Sequence, residues 1–478
     1  MMTAFFQPLA PVLTLIGVGM GLITLECFPR WKMASVKAWF AILGTGAALA
    51  LVFWLGIPTP HGIADSSPEW VRALPRFLNV DQTSWISFGA ISLFTLLSVI
   101  FTAPYFLQSD SRTEILALLL FAASGMMLLV SANSLLMVFL ALELLSLPTY
   151  VLVGIHRTDR QSSEAALKYF LFGSFASVLL LLGITLLYAQ HATMSLPELS
   201  RAISASGTLP ADRAFSYAGM ALLLSAAAFK VGAVPFHMWV PDAYQGAPTP
   251  ITGFMGSSIK LAGFGLLLRL AWALFSPLAS DWIRVLLLLS ALTMVIGNVA
   301  ALTQNNLKRL FAYSSISHAG YLILGVCAMP NQNYQALFYY LVVYGLMFLG
   351  AFAVLAVIEK AAKNLEIYTL SGMGFTHPFW GGLLALFALS AAGIPPTAGF
   401  LAKYFLLLEA MRAGFVPWVV VAVLSSLIGV YYYLRILVYL YMKESKETLR
   451  LKSPTWSYSW AVFFCAACLI LLTLIPNF

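Results

Sequence analysis

The segment Phe229–Lys260, FKVGAVPFHMWVPDAYQGAPTPITGFMGSSIK, places two lysines and a helix break within apolar sequence. Lys230 ends one apolar run, Gly232 and Pro235 interrupt it, and Lys260 lies inside the next run. Proline removes a backbone donor and collides with the preceding turn, so carbonyl groups are freed there. Free carbonyls at membrane depth persist only inside protein or beside a water-filled cavity. The segment therefore predicts a polar path for ions through a membrane protein.

The composition is that of an integral membrane protein. Of the 478 residues, 61% are hydrophobic and 9% are charged, whereas about a quarter are charged in soluble domains. The apolar runs are continuous rather than alternating, which favours helices over a β-barrel. The net charge of +8 would suggest acidic partners for a soluble protein, but most basic residues fall between the apolar runs. We expect one all-α membrane domain over residues 1–478, in contact with lipid and not with nucleic acid.

Fourteen apolar segments are long enough to cross a bilayer, which takes about 20 residues. They lie near 9–28, 36–56, 82–104, 113–131, 134–154, 164–190, 211–239, 250–275, 281–303, 309–329, 333–359, 378–410, 416–441 and 456–476. Loops after odd-numbered spans hold 14 Lys and Arg residues, and loops after even-numbered spans hold 6. Because basic loops stay on the cytoplasmic side, both termini are expected on the periplasmic or outer side.

One acidic residue lies deep in a span. Glu143 is at the centre of SLLMVFLALELLSLPTY, where an ionisable group costs roughly 2.5–3.5 kcal/mol unless it faces a polar interior. An intramembrane lysine such as Lys230 is the obvious partner. Withdrawing the carboxylate from such a pair lowers the proton affinity of the lysine, so the pair can release and reload a proton. A static ion pair that only fixes helix register is the alternative.

A second break lies in ALSAAGIPPTAGFLAKYFLL, where Gly393, Pro395 and Pro396 interrupt an apolar run and Lys403 follows by two turns. Two broken helices, one in each half of the chain, are typical of a transporter built from repeats with a path between them. The repeat is not visible residue by residue, because Lys230 precedes its break whereas Lys403 follows its own.

Four further ionisable residues fall inside spans. His318 lies beside serines in NLKRLFAYSSISHAGYLILG and could relay protons near neutral pH, although a packed, hydrogen-bonded histidine is equally open. Arg269, Arg435 and Lys168 are close enough to span ends for their charges to extend to the membrane interface. For Lys168, a role in the polar path is an equally open reading.

The sequence contains no pattern typical of a redox cofactor or a metal site. It has no glycine-rich nucleotide loop, no Walker loop, no cysteine pattern for an iron–sulfur cluster and no plausible set of haem ligands. Cys465 and Cys468 have no neighbouring Cys or His with which to complete a metal site. We therefore expect no cofactor and no metal in this chain, and an energy source that is an ion gradient or resides in partner subunits.

Several motifs resemble the proton-translocating, antiporter-like membrane subunits of respiratory complex I and the related multisubunit cation/proton antiporters. The motifs are LALELLSLPTYVLVG, SEAALKYFLFGSFAS, AFKVGAVPFHMWVPDAYQGAPTPITGFM, NLKRLFAYSSISHAGYLILG and GIPPTAGFLAKYFLL. Within that family the chain is most similar to the branch called subunit N of bacterial NADH–quinone oxidoreductase. Lysine rather than glutamate at position 403 argues against the branch called subunit M, and an end after the fourteenth span argues against subunit L.

This resemblance implies a fold and residue roles. It implies two inverted five-helix repeats, about 113–275 and about 281–441, each with a broken helix, flanked by helices 1–104 and 456–476. Glu143 would match the glutamate that pairs with the pumping lysine, Lys230 that lysine, Lys260 the connecting residue and Lys403 the lysine of the second break. Lys168 matches a recurrent lysine of the sixth span, whose role is less certain.

The resemblance also implies the setting. The chain would be a subunit of a proton-pumping translocase in a bacterial inner membrane, moving protons outward while other subunits pass electrons from NADH to quinone. Its partners would be the other membrane subunits and, indirectly, the hydrophilic redox arm, which would hold the flavin, iron–sulfur clusters and quinone. Two rivals are a subunit of a sodium/proton antiporter and a non-conducting membrane scaffold.

Overall fold

The computed structural model describes residues 7–27, 34–56, 75–107, 109, 111–206, 213–329, 334–362, 364–444, 451 and 455–475. These residues form helices joined by short loops, and their only β-type pairing is three isolated bridges. The predicted all-α membrane fold is therefore confirmed.

The helices are numbered here in chain order. The first ten are α1 (Ala10–Glu26), α2 (Ala34–Leu55), α3 (Gln82–Tyr105), α4 (Arg112–Ser131), α5 (Leu135–Val153), α6 (Arg160–His191), α7 (Leu196–Ala205), α8 (Ala214–Val231), α9 (Trp239–Gly246) and α10 (Thr249–Leu274). The remainder are α11 (Ala279–Leu302), α12 (Leu307–Cys327), α13 (Gln335–Glu359), α14 (Pro378–Ala392), α15 (Ala398–Arg412), α16 (Val416–Met442) and α17 (Trp456–Leu474).

Thirteen helices in the described part of the chain are long and apolar enough to cross a membrane. The remaining predicted span, 378–410, is instead the pair of shorter helices α14 and α15. The predicted span 211–239 extends too far, because α8 ends at Val231 and a new helix, α9, begins at Trp239. Both differences arise at the glycine–proline breaks, which interrupt the helical hydrogen-bond ladder.

The two breaks have the same local geometry. α8 ends at Gly232 with φ +75° and α14 ends at Gly393 with φ +77°, a left-handed conformation that favours glycine. In each break the residue after the glycine donates its N–H to the carbonyl five residues earlier, at 2.9 and 3.2 Å. Each continues as Gly-x-x-Pro with a cis prolyl bond. The breaks therefore do share a residue pattern, which the sequence reading overlooked.

A second feature also occurs twice. The loop before α5 pairs with the loop after α6 through backbone bonds of 2.9 and 3.0 Å, and the loop before α12 pairs with the loop after α13 through bonds of 2.8 Å. In both places a side chain caps the helix, Ser134 on α5 and Asn306 on α12. An odd number of crossings separates the two loops, so they lie at opposite membrane faces. This arrangement is consistent with the inverted repeats, whose limits remain a prediction.

Three helices form the interior of the bundle. In α10, α12 and α13, 94% of the apolar stretch is buried, whereas α1, α2, α6 and α17 bury about a third of theirs. The outer helices therefore present apolar faces to lipid. The interior helices carry Lys260, His318 and Tyr344.

The two arginines expected to extend to the membrane interface bind residues at the ends of neighbouring helices. Arg269 is buried and donates to Asp81 at 3.1 Å, to Ser84 at 2.6 Å and to two backbone carbonyls. Arg435 donates to carbonyls at the end of α11. Burial alone would raise the pKa of Asp81, but the charge of Arg269 and hydrogen bonds at the start of α3 lower it below its ordinary value. These arginines hold helix ends together.

The crossing of the two half-helices at the second break depends on a glycine. A Cβ at Gly399 would lie 1.8 Å from the carbonyl oxygen of Ser390, which is backbone and cannot move aside cheaply. We expect Gly399→Ala to push α15 away from α14 and to lower the free energy of unfolding by about 1–3 kcal/mol. Thermal unfolding of the purified protein in detergent would measure the loss.

Gly382→Ala on α14 is the matched control, because a Cβ there meets nothing within 4 Å. It should change the stability by less than about 0.5 kcal/mol. Equal stability of the two variants would contradict the packing argument.

Candidate functional site

Lys230 lies in the last turn of α8, where the carbonyl ends of the helix favour a positive charge. Its side chain is buried, and its Nζ donates to the hydroxyl of Ser146 at 2.9 Å. The ring of Tyr169 lies 6.0 Å from the same nitrogen. The first break therefore places an ammonium group in the interior with one hydroxyl acceptor and one aromatic face.

Glu143 lies on α5 one turn before Ser146, so both residues share a face of the helix. Ser177 of α6 donates to its carboxylate at 2.5 Å. The expected direct contact with Lys230 is absent, since the ion pairs among the described residues do not include these two. Instead, Glu143 accepts a hydrogen bond from Ser177, and Lys230 donates one to Ser146.

Lys260 lies on α10, directly after the wide turn Met255–Ile259. It is buried and donates to both the hydroxyl and the carbonyl oxygen of Ser315 on α12, the hydroxyl at 2.6 Å. The ring of Tyr344 lies 5.1 Å from its nitrogen. The surroundings of Lys260 thus repeat those of Lys230, with a serine and a tyrosine face.

A small cavity of about 10 Å³ lies between these two lysines. Both lysines line it, together with Trp239, Tyr244 and Ser315. This is about the space that one water molecule needs, and the lining offers it polar partners. One water there would place a hydrogen-bonding group between Lys230 and Lys260.

His318 is fully enclosed on α12. Its two ring nitrogens lie 2.7 Å from the hydroxyl of Tyr340 and 3.3 Å from that of Tyr433. Tyr433 also bonds Ser314, which adjoins the serine that holds Lys260. The histidine is therefore a packed, hydrogen-bonded residue that also belongs to a row of hydroxyls, and both readings from the sequence remain open.

Lys403 lies on α15, after the second break, yet its side chain returns to the helix before it. Its Nζ donates to the carbonyls of Ala391 and Ala392, at 3.1 and 3.0 Å, in the last turn of α14. The ring of Tyr321 lies 5.4 Å away. Lys403 thus places its ammonium group at the end of α14, the first half-helix of the second break, whereas Lys230 lies in the last turn of α8 and donates to α5.

Lys168 does not join this buried group. Its side chain is 41% exposed and pairs with Glu164 at 2.8 Å and with Asp242 at 2.9 Å. Arg309 of α12 binds the other carboxylate oxygen of Asp242 at 2.8 Å. These four residues form an ion cluster at one end of the bundle, on the far side of α9 from Lys230.

Sequence reasoning missed several polar partners. Ser146 could have been found from its spacing, since it lies one helical turn after Glu143. Tyr340 and Tyr433 carried no such signal, because buried tyrosines at helical spacing are usually core residues. No group of three or more metal-ligating residues occurs in the part of the chain that the structure describes. The expectation that cofactors belong to other subunits remains a prediction.

Comparison with known proteins gives consistent matches. Residues 132–429 match the family model described as NADH:quinone oxidoreductase/Mrp antiporter, transmembrane. A protein of Trichlorobacter lovleyi named NADH-quinone oxidoreductase subunit N is 36% identical, over 98% of this chain and 94% of that protein.

Two solved structures show the same fold. A chain of respiratory complex I from Thermus thermophilus superposes with a TM-score of 0.78 at 35% identity, over 98% of this chain and 97% of that one. A chain of the Mrp complex from Dietzia sp. superposes with a TM-score of 0.80 at 20% identity, over 100% and 95% of the two chains. The second likeness concerns the fold alone.

The backbone of the first break depends on a hydroxyl from a neighbouring helix. The N–H of Val234 donates to Thr293 of α11 at 3.0 Å in a fully buried position. Thr293→Val keeps the shape but leaves this N–H without a partner, so we expect a loss of about 1–3 kcal/mol of stability. Denaturation of the purified protein in detergent measures it.

Thr185→Val is the matched control, because that hydroxyl is exposed and bonds only its own helix. The account of the break would be wrong if both variants unfolded together with the parent protein.

Proposed function

The chain belongs to the NADH:quinone oxidoreductase/Mrp antiporter transmembrane family, and we propose that it is a proton-translocating membrane subunit of an NADH–quinone oxidoreductase, of the subunit N type. The observation that carries this proposal is the row of three buried lysines spanning both broken helices. Identity of 36% to a relative of that name, over nearly the full length of both proteins, supports the subunit type.

The buried residues have different roles in proton transfer. Lys230, Lys260 and Lys403 hold and pass protons, while Glu143 changes the charge around Lys230. The water-sized cavity connects Lys230 to Lys260. The hydroxyl row of Ser314, Tyr433 and His318 begins next to Ser315, the residue that holds Lys260. Each transfer moves a proton between neighbouring acceptors, so a change of charge at one end shifts the proton affinity of the next group.

The energy for this movement comes from partners. Other subunits bind flavin, iron–sulfur clusters and quinone and pass electrons from NADH to quinone, so this chain is part of a translocase without carrying out its redox chemistry. The complex lies in a bacterial inner membrane. The excess of basic residues in the loops after odd-numbered spans supports both termini on the periplasmic or outer side. Protons move outward.

Two alternatives predict different behaviour. A subunit of a sodium/proton antiporter would share this fold, as the likeness to the Mrp complex illustrates, and would be driven by an ion gradient. A non-conducting scaffold would use its buried charges only to fix helix packing. The scaffold predicts that neutralising Lys230 and Lys403 changes stability and leaves transport unchanged.

The residue roles predict the behaviour of point variants. Glu143→Gln and Lys230→Met should lower the number of protons pumped per NADH in the assembled complex, because each removes a charge from the path. Oxidation of NADH at the flavin site should remain, since it occurs in other subunits. Proton uptake by inverted membrane vesicles, with an artificial electron acceptor assay in parallel, measures both quantities.

Glu409→Gln serves as the control for charge removal, because Glu409 pairs only with Arg412 near the end of α15. It should leave pumping unchanged. A normal proton stoichiometry in both path variants would refute the assigned roles.

The identity of the complex predicts what accompanies the chain. Extraction from native membranes in mild detergent should yield large hydrophilic subunits and an absorbance spectrum with flavin and iron–sulfur features. Membrane subunits alone, without chromophores, would favour the antiporter, and sodium-dependent proton transport without NADH would then identify it.

A further inference from the structure

The short helix α9 separates two spaces. Trp239, Val240 and Tyr244 line the closed cavity between Lys230 and Lys260. On its other side α9 borders an open cleft of about 180 Å³, to which it contributes Asp242 and Gln245. Residues four apart share a helix face, whereas those two apart do not. The partition between the open cleft and the buried cavity is thus a single helix of eight residues.

Charged side chains of two neighbouring helices bind the side of α9 that faces the cleft. One carboxylate oxygen of Asp242 accepts a hydrogen bond from Lys168 of α6 at 2.9 Å, and the other accepts one from Arg309 of α12 at 2.8 Å. Arg309 also donates to Gln245 at 3.0 Å. No side chain caps the start of α9. Asp242 therefore joins this helix to both of its neighbours through one carboxylate.

The two helices that Asp242 joins are the ones that carry the partners of the buried groups. On α6, Tyr169 follows Lys168 directly, lies over Lys230 and stacks on Trp239 with ring centroids 4.4 Å apart. On α12, Ser315 lies within two turns of Arg309 and holds Lys260. A shift of α9 therefore changes the surroundings of both lysines.

The cluster is suited to opening and closing. The side chains of Lys168, Asp242 and Arg309 are 41%, 31% and 29% exposed, so water can replace a broken contact. Both cations have a second partner, Glu164 for Lys168 and Gln245 for Arg309. Ion pairs at such exposure contribute little to stability, whereas separating a fully buried pair is costly.

We propose that Asp242 is a positioning residue that, through Lys168 and Arg309, holds α9 closed over the cavity between Lys230 and Lys260. Release of the cluster lets water from the cleft reach the cavity, so that the buried lysines are reloaded with protons from that side. This inference rests on the proposed function. It assigns Lys168 a role in holding α9 closed rather than a role as a proton carrier.

The test measures access to the cavity directly. Val240→Cys places a thiol on the cavity wall, and inverted membrane vesicles containing the whole complex present the predicted cytoplasmic face to a water-soluble maleimide. Asp242→Asn should increase the rate of modification of this cysteine several-fold, as quantified by peptide mass spectrometry. Asp242→Glu should restore the slow rate, and Glu409→Gln, which removes an acid elsewhere, should leave it unchanged.

The same vesicles allow a second measurement. Lys168→Gln removes one of the two contacts and should give an intermediate rate; because Lys168 is partly exposed, this variant is also the one to use if Asp242→Asn fails to assemble. An unchanged rate in the Asp242 or Lys168 variant, or an equal increase with Glu409→Gln, would overturn the proposal. Modification needs no proton transport, so this result is independent of whether Lys230→Met stops pumping.

Discussion

The structure depends on the placement of three ammonium groups away from water. An isolated buried charge costs several kcal/mol, and among the described residues no carboxylate forms an ion pair with Lys230, Lys260 or Lys403. Hydroxyl and carbonyl oxygens take that place, and each ammonium also lies 5.1–6.0 Å from a tyrosine ring. Aromatic faces attract cations most strongly where water is excluded. The tyrosines are thus part of the site and not only of the core.

The broken helices follow from the same requirement. An unbroken helix bonds its own carbonyls and has none to offer a lysine, whereas a helix that ends in the interior presents free carbonyls and the negative end of its dipole. Both breaks provide this end at a glycine in left-handed conformation. Lys403 reaches the free carbonyls of this end from the second half-helix, whereas Lys230 lies in the last turn of the first half-helix and donates to Ser146. A common backbone device therefore tolerates different positions of the lysine in the sequence.

Much of this organisation could be predicted from the sequence, because apolar run length, glycine–proline pairs and isolated charges within spans have direct physical meanings. Predicting where α8 ends, and that α14 and α15 are separate helices, required knowing which glycines end the helices. The separation of Glu143 from Lys230 could not be predicted, since Ser146 and Ser177 satisfy each charge separately through contacts between helices. The partner of Arg269 could not be predicted for a related reason, because Asp81 lies 188 residues away in the chain.

The hydroxyl row beside Lys260 differs in one respect from the lysines it adjoins. An ammonium has three donors and can release any of them, whereas a serine or tyrosine hydroxyl has a single hydrogen. If a proton passed along Ser314, Tyr433 and His318, as proposed above, the two O–H groups of the row would be left pointing the opposite way. The row would then carry no second proton in that direction until these groups had rotated back. The time that the two hydroxyls need to turn would set a lower limit on the interval between successive protons.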